Sequence, residues 1–168
     1  MGIGLHASSD GVAEVIIDFP PVNALPVQGW LDLADAVTGA GKDPGVRAVI
    51  LAAEGRGFCA GVDIKEMQRT EGHAALIGAN RGCFAAFAAV YECEVPVIAA
   101  VQGFCLGGGV GLAGSADIVI ASARSNQPCT GSAFTGGNSM ITSATPSLLR
   151  SWIPIAGLSL VIDLALAW

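Results

Sequence analysis

The chain has 168 residues, 52% of them hydrophobic and 13% charged, and a formal net charge of −6. This composition excludes a disordered chain, and the length suits a single domain with its own hydrophobic core. The net negative charge, with basic residues scattered singly, excludes a surface for nucleic acid.

Strands and helices are predicted to alternate along most of the sequence. Runs of β-branched and other apolar residues predict strands, and apolar residues spaced three to four apart predict helices. In chain order these are strand 12–19, helix 25–40, strand 46–52, helices 64–70 and 78–92, strand 95–101, helix 109–115 and strand 117–121. This alternation, with mostly apolar strands, is typical of an α/β fold whose parallel sheet is covered on both faces.

The sequence changes character after residue 123. Residues 124–168 carry few charges and many serines and threonines, and only residues 147–167 regain enough apolar side chains to pack or form a terminal helix. We therefore divide the chain into a core at residues 1–123 and an atypical tail at residues 124–168. The tail is either a surface loop leading to a helix or a segment foreign to the preceding fold, as a frameshift would produce.

Two glycine-rich turns follow predicted strands. The first contains Gly55, Gly57 and Gly61, and the second contains three consecutive glycines at residues 107–109. Consecutive glycines give up side-chain packing and add backbone entropy to the unfolded state, so their presence calls for a compensating role. Bare main-chain N–H groups at a helix N-terminus hold anionic oxygens well, and two such turns can hold one from both sides.

The second turn also admits two other interpretations. Gly109, Gly111 and Gly114 match the GxGxxG pattern of dinucleotide-binding domains, but the acidic residue expected about 20 positions later is absent. Alternatively, the glycines serve only the close packing of a helix on the sheet. A phosphate-binding P-loop is excluded because the sequence contains no GK[ST] triplet.

Cysteine and histidine content bears on compartment and metal binding. The five cysteines are odd in number and lack CxxC spacing, which predicts free thiols in a cytoplasmic protein. His6 and His73 are too isolated for a zinc site, so we expect no metal. The N-terminus lacks a signal-peptide layout, and the apolar runs at 95–116 and 152–168 are poor membrane spans, so no membrane contact is expected.

Three blocks of sequence resemble the crotonase (enoyl-CoA hydratase/isomerase) superfamily. They are PVNAL at residues 21–25, GFCAGVDIKEM at residues 57–67, and VPVIAAVQGFCLGGG at residues 95–109 followed by ADIVIA at residues 116–121. The resemblance implies an α/β, crotonase-like ββα spiral (the ClpP/crotonase fold), incomplete at the C-terminus. It also implies an acyl-CoA thioester as substrate and no separate cofactor, because coenzyme A is part of that substrate.

The resemblance assigns roles to individual residues. Family members polarise the thioester carbonyl between two main-chain N–H groups, which by resemblance belong to Val62 and Gly108. Contacts with CoA are implied at Ala24, Leu25, Ala60, Asp63, Ile64 and Lys65. Lys65 is equally well a solvated helix lysine. Asp63 is either an acid or base beside the first turn or the N-cap of the following helix.

The acid–base residues of the family's hydratases are missing. Those enzymes carry a glutamate two residues after the triple glycine, where this chain has Gly111, and a second after the strand ending near Ala121, where no glutamate follows. Addition of water to an enoyl group normally needs such carboxylates. The resemblance therefore favours an isomerase or a ring-cleaving acyl-CoA hydrolase that works through an enolate held in an oxyanion hole.

Two other hypotheses come from different functional classes. One is a truncated, catalytically inactive chain that binds CoA, and the other is a Rossmann-type nucleotide-binding domain. The resemblance implies a homotrimer or hexamer, although the terminal helices that build such assemblies have no counterpart in residues 124–168.

Overall fold

The computed structural model describes residues 1–7, 10–69 and 73–122, and the backbone of a strand at 141–143. In chain order the elements are β1 (Gly2–Ala7), β2 (Val12–Asp18), β3 (Ala24–Leu25), α1 (Val27–Lys42), β4 (Ala48–Ala53), β5 (Gly61–Val62), α2 (Ile64–Arg69), α3 (Ala74–Tyr91), β6 (Val97–Val101), α4 (Gly108–Gly114), β7 (Ile118–Ala121) and β8 (Ile141–Ser143). The helices and strands predicted within residues 12–121 are all present with shifted ends. The predicted terminal helix and the rest of the tail lie outside the described residues.

The main sheet has the order β1-β2-β4-β6-β7-β8. Strands β2, β4, β6 and β7 pair in parallel, which confirms the predicted sheet, whereas β1 and β8 join its edges in antiparallel pairs. The central strands β4 and β6 are mostly buried, as expected for a sheet covered on both faces. β2 buries alternate residues, and the residues between them are partly buried.

A second set of very short strands follows the main strands. β3 pairs in parallel with β5, and Cys59 forms an isolated parallel bridge with Cys105. The chain thus passes from β2 through β3 to α1, from β4 through β5 to α2, and from β6 through Cys105 to α4. This repeated succession of strand, short strand and helix brings the ends of three repeats side by side.

Helix α3 packs along α1 in this arrangement. By length and composition alone α3 is apolar enough to span a membrane, but in the fold its Gly82 faces the other helix. A β-carbon built at Gly82 would lie 2.9 Å from Cβ of Trp30 and 3.3 Å from the carbonyl oxygen of Val27, so glycine permits the close approach. Elsewhere α3 exposes a row of large apolar side chains, which are Leu76, Ile77, Phe84 and Tyr91.

Candidate active site

The first amide turn, residues 54–62, leads from β4 to β5. Phe58 at its centre is fully buried, and its N–H donates to the carbonyl of Gln102 at 2.9 Å. The carbonyl of Cys59 accepts a hydrogen bond from the N–H of Leu106 at 2.8 Å. These bonds fix the turn against the loop that follows β6.

The second amide turn, residues 103–109, leads from β6 into α4. Gly103 and Gly107 adopt φ values of +57° and +53°, which favour glycine. A β-carbon at Gly103 would lie only 2.0 Å from the carbonyl oxygen of Arg56, so the two turns touch main chain to main chain. α4 begins at Gly108, and the first N–H groups of a helix have no partner within the helix.

The two turns also meet at Gly61 and Gly108. Gly61 has a φ of +92°, and a β-carbon built on it would lie 3.0 Å from the amide nitrogen of Gly108 and 3.2 Å from the carbonyl oxygen of Leu106. Any side chain at position 61 would therefore press on the second turn. The structure thus brings together the two segments in which the sequence predicts the amides of Val62 and Gly108.

The residues predicted to contact CoA form one continuous patch of main chain. Ala24 pairs with Gly61 and Leu25 with Val62 in the β3–β5 ladder, and Ala60 continues from the same turn. The side chain of Leu25 is fully buried in the core, so a ligand could meet this residue only through its main chain. Further along the chain, Ile64 and Lys65 at the start of α2 are exposed, and Ala24 and Ala60 are half-buried.

Asp63 caps α2. Its Oδ1 accepts hydrogen bonds from the N–H groups of Lys65 at 2.9 Å and Glu66 at 3.3 Å, which confirms the predicted N-cap. Glu66 in turn accepts a hydrogen bond at Oε2 from the N–H of Val27, the first residue of α1, at 2.8 Å. The two carboxylates therefore hold the starts of two helices beside the first turn.

Aromatic rings support the second turn from behind. A β-carbon at Gly108 would lie 3.0 Å from Cη2 and Cζ2 of the fully buried Trp30. A β-carbon at Gly111 would lie 2.7 Å from Cζ of Phe87, and the Trp30 and Phe87 rings meet edge to face with centroids 5.8 Å apart. The ring of Phe87 thus occupies the space that a side chain at position 111, where the family's hydratases carry a glutamate, would need. Gly108 and Gly111 therefore allow close packing, but against side chains of α1 and α3 and not against the sheet, as the packing interpretation expects.

The thiol of Cys59 lies under the first turn. Burial raises its pKa to about 12, even though the N–H of Gly61 donates to Sγ at 3.3 Å and lowers the pKa in part. The group is therefore an uncharged thiol at neutral pH, unsuited to nucleophilic attack. Cys59, Cys83 and Cys93 carry free thiols, in agreement with the prediction, and Cys129 lies outside the described residues.

Three neighbours of the turns escape prediction from the sequence. Asn23 bonds to the first turn from outside it, and Trp30 and Phe87 lie behind the second turn and α4. Of the three, only Asn23 stands in one of the sequence blocks that resemble the family, and the resemblance gives it no role. Trp30 and Phe87 have the helical spacing of ordinary core residues, so nothing in the sequence distinguishes them. Within the described ranges, no group of three His, Cys, Asp or Glu side chains is placed to hold a metal ion.

Comparison with known proteins identifies a family and close relatives. The model of the family described as enoyl-CoA hydratase/isomerase matches residues 7–141. The chain is 70% identical over 112 residues to the (7aS)-7a-methyl-1,5-dioxo-2,3,5,6,7,7a-hexahydro-1H-indene-carboxyl-CoA hydrolase of Mycobacterium tuberculosis. It is 62% identical over 122 residues to the protein of the same name from Rhodococcus jostii.

These matches cover part of each relative. They span 67% and 73% of this chain but 45% and 47% of the two hydrolases, so the chain spans about half the length of the curated relatives it matches. The fold of this chain is also similar to the solved structure of an enoyl-CoA hydratase from Mycobacterium smegmatis, with a TM-score of 0.68 and 30% sequence identity. That match covers 72% of this chain and 48% of the hydratase.

Proposed function

The chain belongs to the enoyl-CoA hydratase/isomerase family, and from this premise we propose that it binds an acyl-CoA thioester between the main-chain N–H groups of Val62 and Gly108. Its fold is the crotonase-like spiral of that family. The observation that carries the proposal is the contact of the two amide turns, in which the β-carbon position of Gly61 is 3.0 Å from the Gly108 nitrogen. Both amides then face the oxygen that becomes negative when an enolate forms.

The reaction is ring cleavage by water. Two relatives with 62% and 70% identity are named hydrolases of a bicyclic dioxo carboxyl-CoA thioester. Water adds to a ring ketone β to the thioester carbonyl, and the bond between the ketone carbon and the α-carbon breaks. The electron pair passes to the α-carbon as an enolate. A proton then reaches the α-carbon, the ketone carbon ends as a carboxylate, and the CoA thioester stays intact.

The two amides supply the main stabilisation in this scheme. The enolate places its charge on the thioester oxygen, and donors fixed before the reaction stabilise that charge without reorganisation. Removing one such donor typically lowers the rate by about 10²–10³. Hydration of an enoyl group is not proposed, because Gly111 replaces one hydratase glutamate and Phe87 fills the space beside it.

Substrate contacts fit the patch beside the first turn. Ala24, Ala60 and Ile64 offer main chain and apolar surface to the pantetheine arm, and Lys65, exposed at the start of α2, can meet a phosphate of CoA. Asp63 contributes as the cap that orders α2 rather than as an acid or base. Coenzyme A enters as part of the substrate, with no separate cofactor.

We also propose that the protein is cytoplasmic and assembles as a homotrimer or hexamer. The exposed row on α3, which includes Phe84 and Tyr91, leaves apolar surface available for self-association. Size-exclusion chromatography with light scattering tests it, since a sharp monomer peak would contradict assembly.

The test of the reaction uses a simple cyclic β-oxoacyl-CoA. The protein is incubated with 2-oxocyclohexane-carboxyl-CoA in ¹⁸O-labelled water, and the products are followed by mass spectrometry. We expect a ring-opened product that is heavier by one water, retains CoA and carries the label in its new carboxylate. Release of free CoA, or hydration of crotonyl-CoA in a parallel reaction, would contradict the proposal. Binding of CoA thioesters without turnover would favour the inactive CoA-binding chain.

A further inference from the structure

Asn23 joins the end of β2 to the first amide turn through an unusually complete set of hydrogen bonds. Asn23 is 3% exposed, and within the described part of the chain it is the polar residue that is buried. The side-chain Oδ1 of Asn23 accepts a hydrogen bond from the N–H of Phe19 at 2.8 Å, and the main-chain N–H of Asn23 donates to the carbonyl of Phe19 at 2.7 Å. These two bonds anchor Asn23 to the end of the sheet.

Three further bonds join Asn23 to the first amide turn. Nδ2 donates to the carbonyl of Glu54 at 2.7 Å and to the carbonyl of Gly57 at 2.8 Å. The carbonyl of Asn23 accepts from the N–H of Ala60 at 3.0 Å. Contacts at residues 54, 57 and 60 fix both the position and the tilt of the segment, because three points define a plane.

The backbone of Asn23 is also specialised. Its φ of +51° lies in the left-handed region, which glycine, asparagine and aspartate tolerate better than other residues. Immediately after it, β3 pairs with β5, so Ala24 and Leu25 lie against Gly61 and Val62. The conformation of one residue therefore determines where β3 meets the end of the turn.

We propose that Asn23 is a positioning residue that sets the location of the Val62 N–H in the thioester site. This inference rests on the function proposed above. Asn23 does not touch the reacting atoms, and it acts by holding the first turn at residues 54, 57 and 60 while β3 holds residues 61 and 62. Displacement of the turn moves one of the two oxyanion donors and weakens its bond to the thioester oxygen.

Two variants remove the side-chain donors without excluding the left-handed backbone. Asn23→Asp keeps the size but replaces the N–H₂ group by an oxygen, which repels the carbonyls of Glu54 and Gly57. Asn23→Gly keeps the φ and leaves those carbonyls without their donor. Val37→Ala, on the buried face of α1 about two helical turns after Trp30, is the control for a general loss of stability.

The readout is the infrared band of the thioester carbonyl in bound ¹³C-labelled butyryl-CoA, together with turnover of 2-oxocyclohexane-carboxyl-CoA. In the wild-type protein we expect the band to move to lower wavenumber on binding. In both Asn23 variants the movement should shrink, and kcat should fall by about 10–10²-fold, less than the loss of a whole donor. The dissociation constant of S-butyl-CoA, which lacks the carbonyl, should change by less than about threefold, since it does not use the oxyanion donors.

The outcomes separate this inference from the function on which it rests. A wild-type band shift that persists unchanged in Asn23→Asp and Asn23→Gly, with unchanged kcat, overturns the positioning role alone. An equal reduction in Val37→Ala also overturns it, because a general loss of stability would then explain the effect. If butyryl-CoA binds the wild-type protein without any carbonyl shift, both the function and the inference fall.

Discussion

Replacing Gly61 by alanine tests the contact between the two turns. The new β-carbon would lie 3.0 Å from the Gly108 nitrogen and 3.2 Å from the Leu106 oxygen, and both are main-chain atoms that cannot rotate away. Gly55 provides the matched control, because its φ of +84° is close to the +92° of Gly61 but nothing lies within 4 Å of its β-carbon position. Both variants place an alanine at an unfavourable φ, but only Gly61→Ala also brings its β-carbon too close to main-chain atoms of the second turn.

The expected magnitudes follow from this difference. A left-handed φ costs an alanine about 1–2 kcal/mol, and the lower entropy of the unfolded chain offsets about 0.4–1 kcal/mol of that cost in both variants. Overpacking adds about 1–3 kcal/mol in Gly61→Ala alone. The free energy of unfolding should therefore fall further in Gly61→Ala than in Gly55→Ala by about 1–3 kcal/mol. Relief of the overlap also moves the Gly108 amide, so kcat should drop by up to about 10²–10³.

Urea unfolding and turnover of 2-oxocyclohexane-carboxyl-CoA measure the two effects separately. Gly55→Ala should lose some stability and keep a kcat well above that of Gly61→Ala at a temperature where both are fully folded. Gly61→Ala should lose both stability and kcat. Equal stability of the two variants would refute the close contact between the turns, and wild-type kcat in Gly61→Ala would refute the role of that contact in catalysis.

Three further changes test neighbouring parts of the site. Asp63→Ala should lower the free energy of unfolding by about 0.5–2 kcal/mol through loss of the helix cap, whereas Asp63→Asn should cap and turn over normally; a large loss of kcat in Asp63→Asn would instead make the carboxylate an acid or base. Gly111→Ala places a methyl group 2.7 Å from Phe87 and should cost about 1–3 kcal/mol, part of which Phe87→Leu should restore; an unchanged urea midpoint in Gly111→Ala would show that the ring yields freely. The pKa of Cys59 in the folded protein, about 12, lies above the ordinary 9.0, so the folded state holds the thiol proton more tightly than the unfolded state does. The free energy of unfolding should therefore fall between pH 9.0 and pH 12, by about 1.4 kcal/mol per pH unit for this group. That slope should flatten in Cys59→Ala, and an identical slope would contradict the burial of the thiol.

Local sequence patterns were sufficient to predict the parallel strands and the helices. Strands β4 and β6 are buried on both faces and are correspondingly apolar along their whole length, so the pattern is explicit. β1 escaped prediction because its stability depends on pairing with β2, and a half-exposed edge strand that contains glycine has no clear pattern of its own. β3 and β5 have two residues each and exist only because the segment after β2 pairs with the end of the first turn.

In the candidate site, too, features that depend on nearby residues could be predicted from the sequence, and features that depend on distant residues could not. The N-cap of Asp63 depends on neighbours two and three residues away, so the sequence predicted it. The role of Asn23 depends on Glu54 and Gly57, far along the chain, and an asparagine shortly after two prolines is also what an exposed turn contains. The need for glycine at position 108 comes from Trp30, a contact that exists only once α1 and α4 have come together.

The most direct test of the oxyanion site is an NMR titration of the backbone amides in the ¹⁵N-labelled protein. Butyryl-CoA and S-butyl-CoA are compared, because they differ only in the carbonyl oxygen that the amides should bind. We expect the amide protons of Val62 and Gly108 to move downfield with butyryl-CoA and to stay close to their free positions with S-butyl-CoA. Equal shifts with both ligands, or a response to butyryl-CoA that leaves these two amides unaffected, would contradict the assignment of the two turns as the thioester site.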